Sequence, residues 1–368
     1  MQKSIEVEYW VIDETGALTE TGALTESSVF AETEFVDCLF ELKTPPCDTV
    51  DELRRTFIEE LDEILTLAED RNKQLVPLAT PLNCNSIQKG DSERGDIQAA
   101  AVGSNFEYAK HCAGTHFHFE QRNVVDQLNT LLALDPALAL ANASPYYRGQ
   151  QVASSARAYL YRKKCYEQLP KHGQLWEYAD TVAQWKRRLD RRYEEFKTAA
   201  TENGQSEATI EAHFSPDDVV WTPVRLRDEM PTVEWRSPDA TLPSESFKLL
   251  AEMADLMEQL HHKNVRIGRE QVGASGDELV LPAFDALRHT SDAAIRRGVK
   301  SPAVTEYLRG MGFAVEAYSP LTQELANHGY IPREKARSLR LHYAKRLEED
   351  VKRLQKAEES SSSVETTV

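Results

Sequence analysis

Residues 113–120 read Ala113-Gly114-Thr115-His116-Phe117-His118-Phe119-Glu120. Side chains on a strand alternate between faces, so His116, His118 and Glu120 share one face and Phe117 and Phe119 the other. The aromatic face needs a core. The opposite face holds two imidazoles and a carboxylate, which makes it either a solvated edge or a binding surface. Whether other strands repeat this alternation decides between the two.

Ser4–Asp13, Ser-Ile-Glu-Val-Glu-Tyr-Trp-Val-Ile-Asp, is a strand in which Ile5, Val7, Tyr9 and Val11 alternate with Glu6, Glu8, Trp10 and Ile12. Glu6 and Glu8 stack about 7 Å apart and repel without a cation. Glu32–Cys47 also reads as extended, with Glu41 set among Leu39, Phe40 and Leu42, and Pro45-Pro46 stopping it. Strict alternation puts Glu34 on the face opposite Glu41 unless a bulge or register change intervenes. A carboxylate in so apolar a setting needs a partner. Val219–Arg236 reads as an antiparallel hairpin turning at Met230-Pro231. Arg225 and Arg227 share a face of one strand, and Glu234 and Arg236 a face of the other.

The rest of the chain frames these strands. Thr49 caps a helix to about Asn72, with Glu52 completing a capping box. Leu75–Thr80 is a short strand. The repeat Thr15–Glu20/Thr21–Glu26 is a tolerated loop insertion. Residues 83–103 read as a loop; Gly90–Asp96 lacks the Lys of a phosphate loop. Val124–Ala143 is a buried helix that Pro136 kinks or breaks. Ser154–Tyr166 presents a solvated basic face. Further helices fall within 176–203, at 244–262, at 302–313 and at 333–357, the last with an apolar stripe for packing or an oligomer contact. The Ser- and Thr-rich segment 358–368 is expected to be disordered.

With 368 residues and 41% hydrophobic content, the chain has room for two domains or one large one. No apolar run is long enough for a transmembrane helix, and a strand pattern begins too early for a signal peptide. Five scattered cysteines without a C-x-x-C pair point to a reducing cytoplasm rather than disulfides or a zinc ribbon. A net charge of −17 opposes nucleic-acid binding, and suits either a high-salt cytoplasm or an ordinary acidic enzyme.

Four strands now carry charged or imidazole pairs at i, i+2: Glu6/Glu8, His116/His118, Arg225/Arg227 and Glu234/Arg236. Together they describe one face of an antiparallel sheet that core packing does not explain. Divalent cations bridging a polyphosphate do. Oxygen ligands suit Mg²⁺, arginines suit the remaining phosphate oxygens, and a histidine adds tolerance for Mn²⁺.

The order of these pieces resembles the glutamate–cysteine ligase family, in particular its bacterial and archaeal carboxylate–amine ligase branch. Glu6-Val7-Glu8 resembles the opening E-x-E strand, Glu41-Leu42-Lys43-Thr44-Pro45-Pro46 its Glu-x-x-Thr-Pro-Pro strand end, and Gly114–His118 its Gly-x-His-x-His/Asn strand. Arg225–Arg236 is similar to its Arg then Glu-x-Arg hairpin, and Ala143–Gly149 with Arg157 to its Asn-Ser-Pro segment and following Arg. The resemblance spans roughly 4–315. Ser4 or Ile5 stands where the family has a glycine, and Val7 replaces an acidic residue between the glutamates. The segment before Arg157 matches loosely, which bears on the amino-acid acceptor.

The resemblance implies an α+β fold, a glutamine-synthetase-like antiparallel sheet flanked by helices, in one catalytic domain over 1–357. It puts Glu6, Glu8, Glu34, Glu41, His116 and Glu234 on metal-binding positions. Arg225 and Arg236 fall on catalytic phosphate or substrate positions, with His118, Arg157, Asn264 and Arg266 on nucleotide or substrate contacts. The implied reaction uses Mg²⁺ or Mn²⁺ and ATP to activate a carboxylate, most simply the γ-carboxylate of glutamate, for attack by an amine such as that of cysteine. Alternatives are a ligase of the same family joining another acid–amine pair, a metal-dependent hydrolase built on His116 and His118, and a non-catalytic binding protein. The arginines fit the hydrolase poorly.

Overall fold

The computed structural model describes residues 1–365 apart from 86, 88, 89, 91, 229, 270 and 271. A seven-stranded sheet organises it: β1 Lys3–Asp13, β2 Ala31–Thr33, β3 Leu39–Lys43, β4 Lys73–Val76, β5 Thr115–Glu120, β6 Val224–Arg227 and β7 Thr232–Trp235. The order is β2-β3-β1-β5-β7-β6, β4 also pairs with β1, and every pairing is antiparallel. The α+β expectation holds.

Register aligns the alternating faces. Ile5 lies opposite Phe117, Phe117 opposite Trp235, Val7 opposite Leu42, and all are buried in one core. Val7 therefore faces away from its glutamate neighbours. Helices α1 Val50–Glu69, α5 Pro243–Gln259 and α7 Arg333–Glu365 pack together at this core, with Phe57 and Phe247 edge to face at 5.5 Å. The stripe Ala336, Tyr343, Leu347 and Val351 on α7 is buried within the chain. At α1, the Thr49 side chain accepts from Glu52 N at 3.1 Å, but the Glu52 carboxylate accepts from Asp48 N rather than completing the box on Thr49.

Several expectations are corrected. Residues 32–47 are not one extended run: the chain turns at 34–38 to pair β2 with β3, Glu32 lying opposite Glu41. The short strand after α1 is Lys73–Val76. The expected loop over 83–103 contains α2, Glu93–Val102. Ser92 Oγ accepts from Gly95 N at 3.2 Å, and the run Ala99-Ala100-Ala101 favours helix strongly enough to offset Gly95. Strand β8, Asn264–Gly268, which falls between the expected helices, forms a second sheet with β9 Gly273–Ser275 and β10 Glu278–Pro282. Helix α7 runs on to Glu365 through most of the tail expected to be disordered, anchored where Glu358 meets Arg54 at 3.1 Å; residues 366–368 lie outside the described residues.

Pro136 does break its helix. Helix α3, Val124–Ala133, bends by 54° into a 3₁₀ segment, Asp135–Ala141. This pair is apolar but buried, and no single described helix is long and apolar enough to cross a membrane.

The basic face expected over 154–166 is half wrong. Lys163 and Lys164 reach solvent, whereas Arg157 and Arg162 are buried. Arg162 makes two 2.7 Å bonds to fully buried Asp135, and Ser237 donates to the same carboxylate at 2.6 Å. Burial pushes the Asp135 carboxyl up, but the Arg162 guanidinium and hydrogen bonds from Ser237 and Ser291 outweigh it and hold the group ionised. Asp135→Asn leaves a guanidinium buried without its counter-charge, and is expected to cost about 3–5 kcal/mol in urea unfolding. A double variant, Asp135→Leu with Arg162→Met, should recover most of that loss.

Candidate active site

The polar face of the sheet is built by the same register as its core. Glu8 stands opposite Glu41, Glu6 opposite both Lys43 and His116, His118 opposite Glu234, and Glu234 opposite Arg225. Side chains of five strands, β3, β1, β5, β7 and β6, thus converge on one face. The turn at 34–38 reverses the chain and brings Glu34 to Glu41 and Glu8, although strict alternation placed it on the other face.

The face has two ends of opposite character. At the β3 end, Glu8, Glu34 and Glu41 offer oxygens within 4.8 Å of one another. Lys43 is the nearby cation, 3.0 Å from Glu41 Oε2 and 2.7 Å from Glu32. Burial, reinforced by the neighbouring carboxylates, raises Glu8 and Glu34 to about 7 and lifts Glu41 well above the carboxylate range. Lys43 was missed in the sequence, yet it stands at i+2 from Glu41 on the same strand.

At the β6 end, Glu234 is fully buried with Arg225 Nε at 2.7 Å, Arg236 Nε at 2.9 Å and Arg227 at 4.0 Å. Burial pushes Glu234 up, but Arg225 and Arg236 outweigh it and keep the carboxylate ionised. The Arg236 contact lacks hydrogen-bond angles, so Glu234 Oε1 and Arg236 Nε remain open to another partner.

The histidines lie between. His116 Nδ1 is 3.0 Å from Glu6 Oε2, and His118 Nδ1 is 3.2 Å from Thr232 Oγ1. Burial and then the Arg236 charge lower His116 to about 4, so it is neutral at pH 7. Donation from Nδ1–H to Glu6 leaves a lone pair on Nε2, which is buried without a hydrogen-bond partner, as is His118 Nε2. Glu6 itself is pushed up by burial but held low by both imidazoles.

These groups fit divalent cations. Among the described residues, three sets bring their ligand atoms within 4.8 Å of one another: Glu6–His118–Glu234, Glu6–Glu41–His116 and Glu8–Glu34–Glu41. Mostly oxygen donors with an imidazole suit Mg²⁺ or Mn²⁺. Both histidines enter such sets, so the geometry does not separate a ligand His116 from a nucleotide-contacting His118. Glu120 is half exposed and pairs with Arg122 outside the cluster.

Arg157 joins the site through a glycine. A Cβ on Gly114 would sit 2.1 Å from Arg157 Nη2, so only glycine admits the guanidinium there. Gly114 N donates to Glu8 Oε2 at 2.5 Å, and Arg157 Nη1 donates to the carbonyls of Arg236 and Pro238 at 3.0 and 3.2 Å. Beside them Tyr161 and Trp221 stack at 4.4 Å, with Arg236 over Trp221 at 5.9 Å; no periodicity in the sequence marks this aromatic pair. Asn264 and Arg266 stand instead on the second sheet, where Asn264 is exposed and Arg266 pairs with Glu278 at 3.0 Å. The cysteines do not enter any of the ligand sets, and Cys38, Cys47 and Cys112 are buried.

Among solved structures the fold is similar to a bifunctional glutathione synthetase from Pasteurella multocida, with a TM-score of 0.58 at 13% identity over 94% of this chain. The chain spans about half, 52%, of that protein's length. It is also similar to a glutamate–cysteine ligase from Francisella tularensis solved in complex with AMP, with a TM-score of 0.50 at 14% identity, covering 100% of this chain and 94% of that one. No curated protein matches in sequence. The profile of the glutamate–cysteine ligase family 2 matches residues 5–311, most of the chain and every charged side chain of this face, and the protein belongs to that family.

Proposed function

We propose that this protein is an ATP-dependent carboxylate–amine ligase that joins the γ-carboxyl of glutamate to the amino group of cysteine and releases ADP and phosphate. The observation that carries this reading is the division of one sheet face into a carboxylate end and a guanidinium end, with Glu6, His116 and His118 between them. A nucleotide triphosphate with its cations complements both ends at once. Family membership supports the reading.

In this reading Glu6, Glu8, Glu34, Glu41, His116 and Glu234 hold Mg²⁺ or Mn²⁺, which neutralises and orients the phosphates of ATP. Arg225 and Arg236 place fixed positive charge where the transferring phosphoryl group gathers negative charge. A glutamate carboxylate oxygen attacks the γ-phosphorus, the bond to ADP breaks, and an acyl phosphate forms. The cysteine amine then attacks the carbonyl carbon, phosphate leaves with the bonding pair, and the amine loses a proton. Arg157, with its Nε buried and unpartnered, is assigned to a substrate carboxylate or phosphate, and His118, Asn264 and Arg266 to nucleotide or substrate contacts. Positioning and charge do the work, so the chain supplies no covalent nucleophile.

Three outcomes are expected. Purified protein with Mg²⁺ and ATP should release ADP faster when glutamate is added, and faster again with cysteine; failure with every acid–amine pair overturns the ligase reading. Glu41→Gln should lower kcat by on the order of 100-fold while circular dichroism stays unchanged. The third outcome concerns pH. Glu8 and Glu34 carry protons below about 7 in the metal-free fold, and a cation must displace them. Affinity for Mn²⁺ should therefore tighten as pH rises from about 6 to 8, with protons released on binding. Isothermal titration in two buffers of different ionisation enthalpy reads that release.

A further inference from the structure

A hollow of about 450 Å³ lies apart from the sheet's polar face, between the segment 170–177, helix α4 (Val182–Glu202) and the start of helix α6 (Phe284–Arg297). Its lining runs against the composition of the chain. Overall, Asp and Glu outnumber Lys and Arg by 60 to 43, yet the hollow gathers Lys171, Arg188, Arg191, Arg192 and Arg288 with Glu177 as its one carboxylate.

Helix geometry explains part of this. Arg188, Arg191 and Arg192 occupy i, i+3 and i+4 of α4 and share a face, where like charges repel. Backbone carbonyls hold the Arg188 guanidinium, with Nη2 donating to Tyr178 O at 3.0 Å, and Arg191 Nε donates to Arg187 O at 3.3 Å. Such contacts orient a guanidinium without neutralising it. Among the described residues, Lys171, Arg188 and Arg191 pair with no carboxylate. Arg288 meets Asp285 at 3.2 Å and Arg192 meets Glu195 at 2.8 Å, but Arg192 Nε is buried without a hydrogen-bond partner. Trp176, buried with its indole N–H on Lys171 O at 3.0 Å, and Phe284 give the hollow apolar walls.

Guanidinium forks of this kind match carboxylate and phosphate oxygens. The volume exceeds what inorganic phosphate fills and falls in the range of small-molecule sites. We propose that this cleft binds a small organic anion that carries at least two negative charges beside an apolar body. The cleft is separate from the sheet but shares a segment with its surroundings: Gly173 N donates to Trp221 O at 2.8 Å, and the Gln174 side chain donates to Arg162 O.

Phenyl phosphate, a dianion with one flat ring, is the probe. It is titrated in EDTA against the intact protein, and tryptophan fluorescence excited beyond the probe's absorption reads binding. A saturable change is expected, weakening as sodium chloride rises. Arg188→Gln with Arg191→Gln should weaken binding by about tenfold or more. If that pair fails to fold, Lys171→Gln with Arg288→Gln, on exposed side chains, should weaken binding in the same direction. Glu41→Gln on the sheet should leave the affinity unchanged. No saturable response, full affinity in the cleft variants, or loss of binding in Glu41→Gln overturns the proposal. None of these readouts needs ligase activity, so the result stands apart from the fate of the ligase reading.

Discussion

The structure depends on an electrostatic conflict that the sheet creates and does not resolve by itself. Antiparallel register sets Glu8 directly across from Glu41, with Glu6 one step along and Glu34 folded in from the turn. Buried carboxylates at this spacing cannot all ionise at low cost, and Lys43 answers only part of the charge. At the other end of the same face the imbalance is reversed. Glu234 alone faces Arg225, Arg227 and Arg236, and stays ionised under them. A face with excess negative charge at one end and excess positive charge at the other is a costly way to build a core, and a suitable way to hold a cation-bound polyanion.

The remainder of the fold keeps that face in register. The opposite side chains of the same strands, Ile5, Val7, Phe117, Val233 and Trp235, are buried against helices, so a slip of one residue would expose them. The Arg162–Asp135 pair ties the break between α3 and the 3₁₀ segment to the segment that carries Arg157 and, through Ser237, to the chain just past β7. Gly114 then lets the Arg157 guanidinium lie against the backbone beside Glu8. Each connection runs from an ordinary packing constraint to the position of a charged group.

Much of the sheet was legible because charge and apolarity alternate with period two, and burial on one face makes that period compulsory. Glu6/Glu8, His116/His118 and the Arg225–Arg236 hairpin were read correctly for that reason. Strict alternation alone puts Glu34 on the wrong face because alternation fails at a turn; the resemblance, not the period, points to its place beside Glu41. Arg157 and Arg162 looked solvated because burying an arginine depends on partners far along the chain: Asp135 for one, Gly114 and the carbonyls after β7 for the other. Helix α2 was hidden behind a glycine and polar flanks, and the second sheet behind a short run of basic residues. Asn264 and Arg266, named through resemblance rather than alternation, stand on that second sheet.

The measurement that bears most directly on the unresolved charge is the melting temperature of the wild type and of Glu8→Gln at pH 8, each in EDTA and in Mg²⁺. Glutamine keeps the acceptor for Gly114 N–H and removes the negative charge. The account predicts that Glu8→Gln melts at or above the wild type without a cation, and that Mg²⁺ raises the wild type by the larger increment. A variant that melts below the wild type in EDTA, with both proteins responding equally to Mg²⁺, would contradict it.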